Sequence, residues 1–346
     1  MNRDYATFAA NKAIELINID SPTGFTAEIA TKVAEEFEAF GFHVAKTNKG
    51  AILVDFGGEE NIEGALLFEA HADTLGAMVK EIKDNGRIKA TNLGGLVASN
   101  VECENVKVYS RGGKIYEGTF QLINASSHVN KELSSKERTF DTIEVLLDED
   151  VKSREDTKAL GIDVGDYICV NPRAHITESG YIKSRFLDDK LSVGILLGFA
   201  KYLVDNNIKL ERRVYALITT YEEVGHGGST SIPSDVKEAI SIDMGCVGEG
   251  LQCNERQVSI CAKDSGGPYD KGIVDRLVNA AIKENADYAI DIYPYYGSDV
   301  EATLSAGYDI RHGLIGSGVY ASHGYERSHI DGVYATLKTI KGYLNI

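Results

Sequence analysis

Positive charge is in short supply in this 346-residue chain, where 36 Lys and Arg face 52 Asp and Glu for a formal net charge of −16. That balance argues against nucleic acid or an anionic membrane as a partner, and it names no substrate. No apolar run approaches transmembrane length, and the opening residues, Met1 to Tyr5, lack the apolar core of a signal peptide. Cysteine is sparse and odd in number: Cys103, Cys169, Cys246, Cys253 and Cys261 include no C-x-x-C spacing. They read as reduced thiols, mostly in the core, which places the protein in the cytoplasm and leaves the sequon at Asn124 without meaning. Also missing are a phosphate-binding loop, a Gly-x-Ser-x-Gly elbow, and the third glycine that Gly316-Ser317-Gly318 would need for a dinucleotide fingerprint. There is no internal repeat and no low-complexity tract.

What remains is an ordinary globular composition, 43% hydrophobic and 25% charged, long enough for one large domain or two smaller ones. Helical periodicity marks residues 5–19 and a second amphipathic helix ending near Gly41, and strand-like segments follow at 43–47, 52–56 and 65–70. From about 79 to 177 the helical period fades and short strands separated by glycine turns take over, with one helical stretch at 153–160. The polar segment 126–139 reads as a loop within this region. Alternating helices and strands then return: a helix at 191–204, strands at 211–220, 258–261, 288–293 and 309–315, and helices at 273–283 and 332–344. Residues 236–240 read as the end of a helix before a short strand at 241–242. The pattern predicts an α/β fold with a mixed, mostly parallel central sheet flanked by helices, interrupted by an inserted β-rich, barrel-like domain. The expected boundaries are 1–72 and 178–346 for the α/β domain and 73–177 for the insert.

The polar residues that matter sit at predicted strand ends. The apolar run from Val214 stops at Glu222 and Glu223, followed by Gly225, Gly227 and Gly228. Ligands of open α/β sheets bind beyond the carboxyl ends of strands, and two carboxylates there repel each other unless a cation compensates. Alternation along a strand would send the two to opposite faces, so one shared site requires a bend, which the glycines permit. His71 and Asp73 end an earlier strand and point the same way, so Asp73 can orient His71 through its second ring nitrogen. Asp188 and Asp189 precede a helix, Asp243 follows Ile242, and His323 lies in a later loop. Two imidazoles and five carboxylates (His71, Asp73, Asp188, Glu222, Glu223, Asp243, His323) suit a pair of divalent metals, zinc or cobalt. Each piece also has a plain reading as a surface pair, a helix cap or a turn residue. His43, His128 and His175 read as structural or solvated; His226, His312 and His329 stay open.

The set His71-Ala72-Asp73, Leu187-Asp188-Asp189-Lys190, Glu222-Glu223-Val224-Gly225, Ile242-Asp243, Gly297-Ser298-Asp299 and His323 resembles the tetrahedral aminopeptidases, relatives of glutamyl aminopeptidase and of proteins once labelled cellulase M. The resemblance spans nearly the whole chain. It implies one metal held by His71, Asp188 and Asp243 and another by Asp188, Glu223 and His323. It further implies Glu222 as general base, Asp73 as the partner of His71, and a cis peptide between Asp188 and Asp189. The insert would be a dimerisation domain, and the assembly a dimer or a dodecamer acting on peptides. Two departures stand out: the surroundings of His323 differ, which keeps His312 and His329 as alternative ligands, and His226-Gly227-Gly228 replaces the family's usual residues. A deacylase on the same scaffold, a glycosidase using the carboxylate pair, and a non-catalytic binding protein are the competing readings.

Overall fold

Residues 1–59 and 63–346 are described in a computed structural model of the chain. They form two compact units, Met1–Asp73 with Arg173–Ile346, and Thr74–Pro172. The first unit begins with helix α1 (Asp4–Ile17), which buries Ala6, Ala9, Ala10, Ala13, Leu16 and Ile17 along one stripe, and α2 (Ala27–Ala39), which buries Ile29, Val33 and Phe37. Strands β1 (His43–Lys46), β2 (Ile52–Gly57) and β3 (Ala65–His71) follow, and β3 is buried at all seven positions. Burial on both faces is what a near-continuous apolar run in a parallel sheet produces.

The second unit supplies β4 (Gly76–Ile82), β5 (Ile88–Leu93), β6 (Asn105–Tyr109), β7 (Ile115–Leu122), β8 (Ile143–Leu147) and β9 (Tyr167–Val170), closed as a barrel in the order β4-β5-β8-β7-β6-β9. Along β7, inward residues alternate with outward ones, the pattern of a strand with one face in a core. Its helix α3 (Arg154–Ala159) starts at a capping box in which Ser153 and Asp156 each accept the other's backbone N–H. The expected β-rich, barrel-like insertion is present.

The first unit then resumes with β10 (His175–Ile176), β11 (Tyr181–Ser184), α4 (Leu187–Asp205), β12 (Val214–Thr219), β13 (Val236–Ile242), β14 (Gly245–Val247), β15 (Val258–Lys263), α5 (Lys271–Lys283), β16 (Tyr288–Ile292), α6 (Asp299–Ser305), β17 (Arg311–Tyr320), β18 (Glu326–His329) and α7 (Ile330–Tyr343). Its mixed sheet runs β1-β2-β12-β3-β13-β17-β18-β11-β10. Strands β12, β3, β13 and β17 are parallel neighbours, and β11 regains their direction through two antiparallel steps across β18. Five carboxyl ends therefore share one edge. Among the described residues no helix is long and apolar enough to cross a membrane.

One expectation fails here. Residues 236–240 are strand, not helix, because β13 lies in the middle of the sheet between β3 and β17 and is buried at six of its seven positions. Within it, the fully buried Glu238 faces Arg212, Arg276 and Arg311, whose pairing would not show in a local pattern. Burial alone would raise the Glu238 carboxyl, yet hydrogen bonds from Arg276 and Arg212 hold it below the ordinary value. A depressed carboxyl stabilises the fold above its unfolded pKa and loses that contribution as pH falls through the folded pKa. Arg276 and Arg311 are 42% and 52% exposed, which weakens the pairing through solvent screening. Glu238→Gln is therefore expected to cost about 2 kcal/mol at pH 7, below the 3–5 kcal/mol of a fully buried pair. Urea melts at pH 7 and at about pH 4 check this, with the gap to wild type narrowing at the lower pH.

Candidate metal centre

Each candidate side chain is placed by the strand end that carries it. β3 ends on His71, and Ala72 N donates at 3.0 Å to the carbonyl oxygen of Thr219, the last residue of β12, carrying the ladder one step past β3. After β12, Glu222 and Glu223 occupy a single 3-10 turn, Glu222–Val224, closed by Gly225 at φ +82°. That turn supplies the bend the two carboxylates need, and its left-handed end suits glycine. Asp243 follows β13 directly. Asp188 opens α4 with non-helical backbone angles, and its peptide bond to Asp189 is cis. The start of α4 is anchored by the buried Lys190 ammonium, which donates to Leu16 O at 3.0 Å and Ile19 O at 2.6 Å. His323 lies between β17 and β18 at φ +60°.

The geometry centres on Asp188. His71 Nε2 is 3.0 Å from Asp188 Oδ1 and 3.6 Å from Glu222 Oε2. His323 Nε2 is 3.5 Å from the other oxygen, Asp188 Oδ2, and 3.9 Å from Glu223 Oε2. Two triads, His71-Asp188-Asp243 and Asp188-Glu223-His323, each offer donor atoms within 4.8 Å of one another. Asp188 belongs to both and turns a different oxygen to each imidazole.

The donors fit divalent cations by their own electrostatics. Burial first, and then neighbouring carboxylates, push Glu222 and Glu223 well above their ordinary values and Asp243 to about 7. Burial would raise Asp188 too, but hydrogen bonds from His323 and His71 hold it well below the usual range. His323 rises to about 9, chiefly through its bond to Asp188; His71 rises despite burial, through Glu222, Asp188 and Asp189. Glu223 Oε1 is buried without a hydrogen-bond partner. A cluster that must gather protons to offset its charge has the character of a site for cations, and mixed N/O donors suit first-row divalent metals.

Asp73 meets His71 differently from the expectation. His71 Nδ1 lies 2.9 Å from the Asp73 carbonyl oxygen and 3.6 Å from its carboxylate. The carboxylate instead accepts from Thr23 Oγ1 at 2.6 Å and from Glu222 N at 3.2 Å. Asp73 thus ties the imidazole and the Glu222 turn together, one through its main chain and the other through its side chain. A carbonyl and a carboxylate two residues along offer the same kind of acceptor, so spacing alone could not separate them.

Of the open histidines, His312 sits at the opposite end of β17 against Tyr269, ring centroids 4.9 Å apart. His329 has both nitrogens engaged, Nε2 with Ser179 O at 2.8 Å and Nδ1 with Asp331 N at 3.0 Å. His226 is exposed and stacks on Tyr221. His43 and His175 lie on β1 and β10, and His128 in the second unit's loop. Only His323 of the three alternatives meets Asp188 and Glu223. A residue that sequence reasoning passed over is Glu326, fully buried, which accepts from His323 N at 3.0 Å through Oε1 and from Asp188 N at 3.2 Å through Oε2. Its signal was faint: one glutamate three residues after His323, on a four-residue strand.

The cluster forms one wall of a cavity of about 700 Å³, bounded elsewhere by Tyr295, Tyr296, Ser298, Asp299 and Glu301. Comparison with solved structures gives this fold as that of aminopeptidases. An aminopeptidase from the archaeon Desulfurococcus kamchatkensis superposes with TM-score 0.87 at 21% identity, covering 98% of this chain and 95% of that one. The Pyrococcus horikoshii TET1 peptidase, which can assemble into a tetrahedron or a large octahedral shell, gives 0.83 at 21%, covering 96% and 98%. The M42 glutamyl aminopeptidase family profile matches residues 50–339, and the chain belongs to that family. Bacillus subtilis (strain 168) YhfE is 42% identical over 330 residues, 95% of each chain.

Proposed function

We propose that the protein is a metal-dependent aminopeptidase that hydrolyses the first peptide bond of a free peptide, with Glu222 as general base. The observation that carries this is Asp188, whose two carboxylate oxygens are divided between His71 and His323. Two divalent cations, zinc or cobalt, would be held by His71, Asp188 and Asp243 and by Asp188, Glu223 and His323, where they would acidify water and polarise the carbonyl. Glu222, at the cavity wall beside His71, takes the proton of the attacking water and returns it to the leaving amine. Burial raises its affinity for protons, the direction that this exchange needs. Asp73 fixes the turn that presents Glu222, and Glu326 holds the backbones of Asp188 and His323 so that their side chains keep their separation.

The five free cysteines agree with a reducing compartment, the cytoplasm. The barrel unit Thr74–Pro172 is proposed as the surface for self-association, in keeping with the assemblies that the P. horikoshii relative forms. The test is a pair of short peptides differing only at the N-terminus. The free peptide is expected to release its first amino acid, while the N-acetylated one is left intact. Release of acetate instead would favour a deacylase, and sugar hydrolysis that survives a chelator would favour a glycosidase and overturn the proposal.

A further inference from the structure

Apart from the metal-cluster residues, the cavity lining includes small and neutral groups, Ser229, Ser298, Ala302 and Ala306 among them. Two acids interrupt it. Asp299 is committed: its oxygens accept from Thr219 Oγ1 and, at 2.6 Å, from Gly228 N, so it braces the loop after Glu223. Glu301 also lines the cavity, and its carboxyl is hydrogen-bonded to Asp264 and to the Gly266 backbone rather than to the loop after Glu223. Its carboxyl lies against the backbone of two loops; a Cβ on Gly266 would fall 1.8 Å from Oε1, and one on Gly297 3.2 Å from Oε2. Behind it stands the fully buried Asp264, which accepts from Tyr269 Oη at 2.5 Å and from Gly266 N at 3.0 Å. The Lys263 ammonium nearby donates to the Asp264 carbonyl at 2.9 Å.

We propose that Glu301 makes this cavity select peptides whose first residue has a cationic side chain, lysine or arginine. The inference rests on the aminopeptidase reading and adds the side-chain preference. An ammonium or guanidinium entering the cavity meets Glu301 directly and Asp264 behind it. An acidic side chain would meet the same pair with the wrong sign, and an apolar one would strip water from Glu301 without replacing its hydrogen bonds. Burial, then the hydrogen bond to Asp264, pushes Glu301 to about 8, so the pair holds a proton that an entering cation displaces. Nothing in the sequence marked Glu301, the second of two acids in the short helix α6.

The experiment is a panel of Lys-, Arg-, Leu- and Glu-aminoacyl chromogenic substrates with the metal-loaded wild type and Glu301→Gln. Wild type is expected to prefer Lys and Arg over Leu and Glu by about 10-fold or more in kcat/KM. Glu301→Gln should lower the Lys value by about 10-fold, mainly through KM, and leave Leu within about 2-fold, which also shows that the variant folds. As a readout besides turnover, free lysine should inhibit the wild type more strongly than norleucine, and Glu301→Gln should erase that difference. Hydrolysis led by Leu or Glu, or a Lys preference unchanged in the variant, overturns the role of Glu301 and leaves the aminopeptidase reading standing. Failure to cleave any member sinks both.

Discussion

Glu222→Gln is expected to lower kcat for peptide hydrolysis about 10³-fold, with KM and metal content near those of the wild type. The substitution keeps the shape of the side chain and leaves the backbone bond from Glu222 N to Asp73 untouched, so the turn should hold. It removes the one property the proposal needs, a group that accepts a proton from water and surrenders it to the leaving amine. General acid–base catalysis contributes about 10²–10⁴-fold, and an amide cannot substitute for it. Neither metal triad includes Glu222, so metal bound per subunit, measured by mass spectrometry of the dialysed protein, should be unchanged. Wild-type turnover with full metal content would remove Glu222 from the mechanism.

How far the sequence reached can be followed residue by residue. The strand leading to Glu222 and the short His71-Ala72-Asp73 segment were legible because a buried parallel strand has a plain signature and its carboxyl end has a meaning. The barrel announced itself by the loss of helical periodicity. What stayed hidden depends on partners distant in the chain. β13 was read partly as helix because a buried acid at Glu238 looks like an exposed helical one until three arginines from elsewhere surround it. Asp73 uses its carbonyl toward His71 because its carboxylate is drawn to Thr23, fifty residues earlier. Glu326 and Glu301 sit on short elements, and their roles come only from what the fold brings to face them. Choosing His323 over His312 and His329 likewise needed the third dimension: His312 starts the strand whose far end leads to His323.

Replacing Asp188 by asparagine should be more damaging than any other single change in the cluster, and its effect should be of a different kind from that of Glu222→Gln. Asp188 is the one donor common to both triads, with Oδ1 toward His71 and Oδ2 toward His323. Asparagine keeps one carbonyl oxygen and turns the other position into an NH₂ group that cannot ligate a cation, and it removes a charge shared by two sites. Metal content should fall from two toward none, and activity by about 10⁴-fold or more at ordinary metal concentrations, since both carbonyl polarisation and water activation are lost. Asp243→Asn is the control: it touches the His71 triad alone, so one site should empty while the Asp188-Glu223-His323 site stays filled. Chelation of the wild type should abolish activity in the same way, with recovery on adding zinc or cobalt. Loading should also release protons, because His71 and His323 attract protons in the metal-free cluster and must give them up to bind a cation. Metal affinity should therefore weaken as pH falls, which titration calorimetry in buffers of different ionisation enthalpy can measure. Two metals retained in Asp188→Asn, or no proton release on loading, would contradict the shared-carboxylate arrangement from which the mechanism was built.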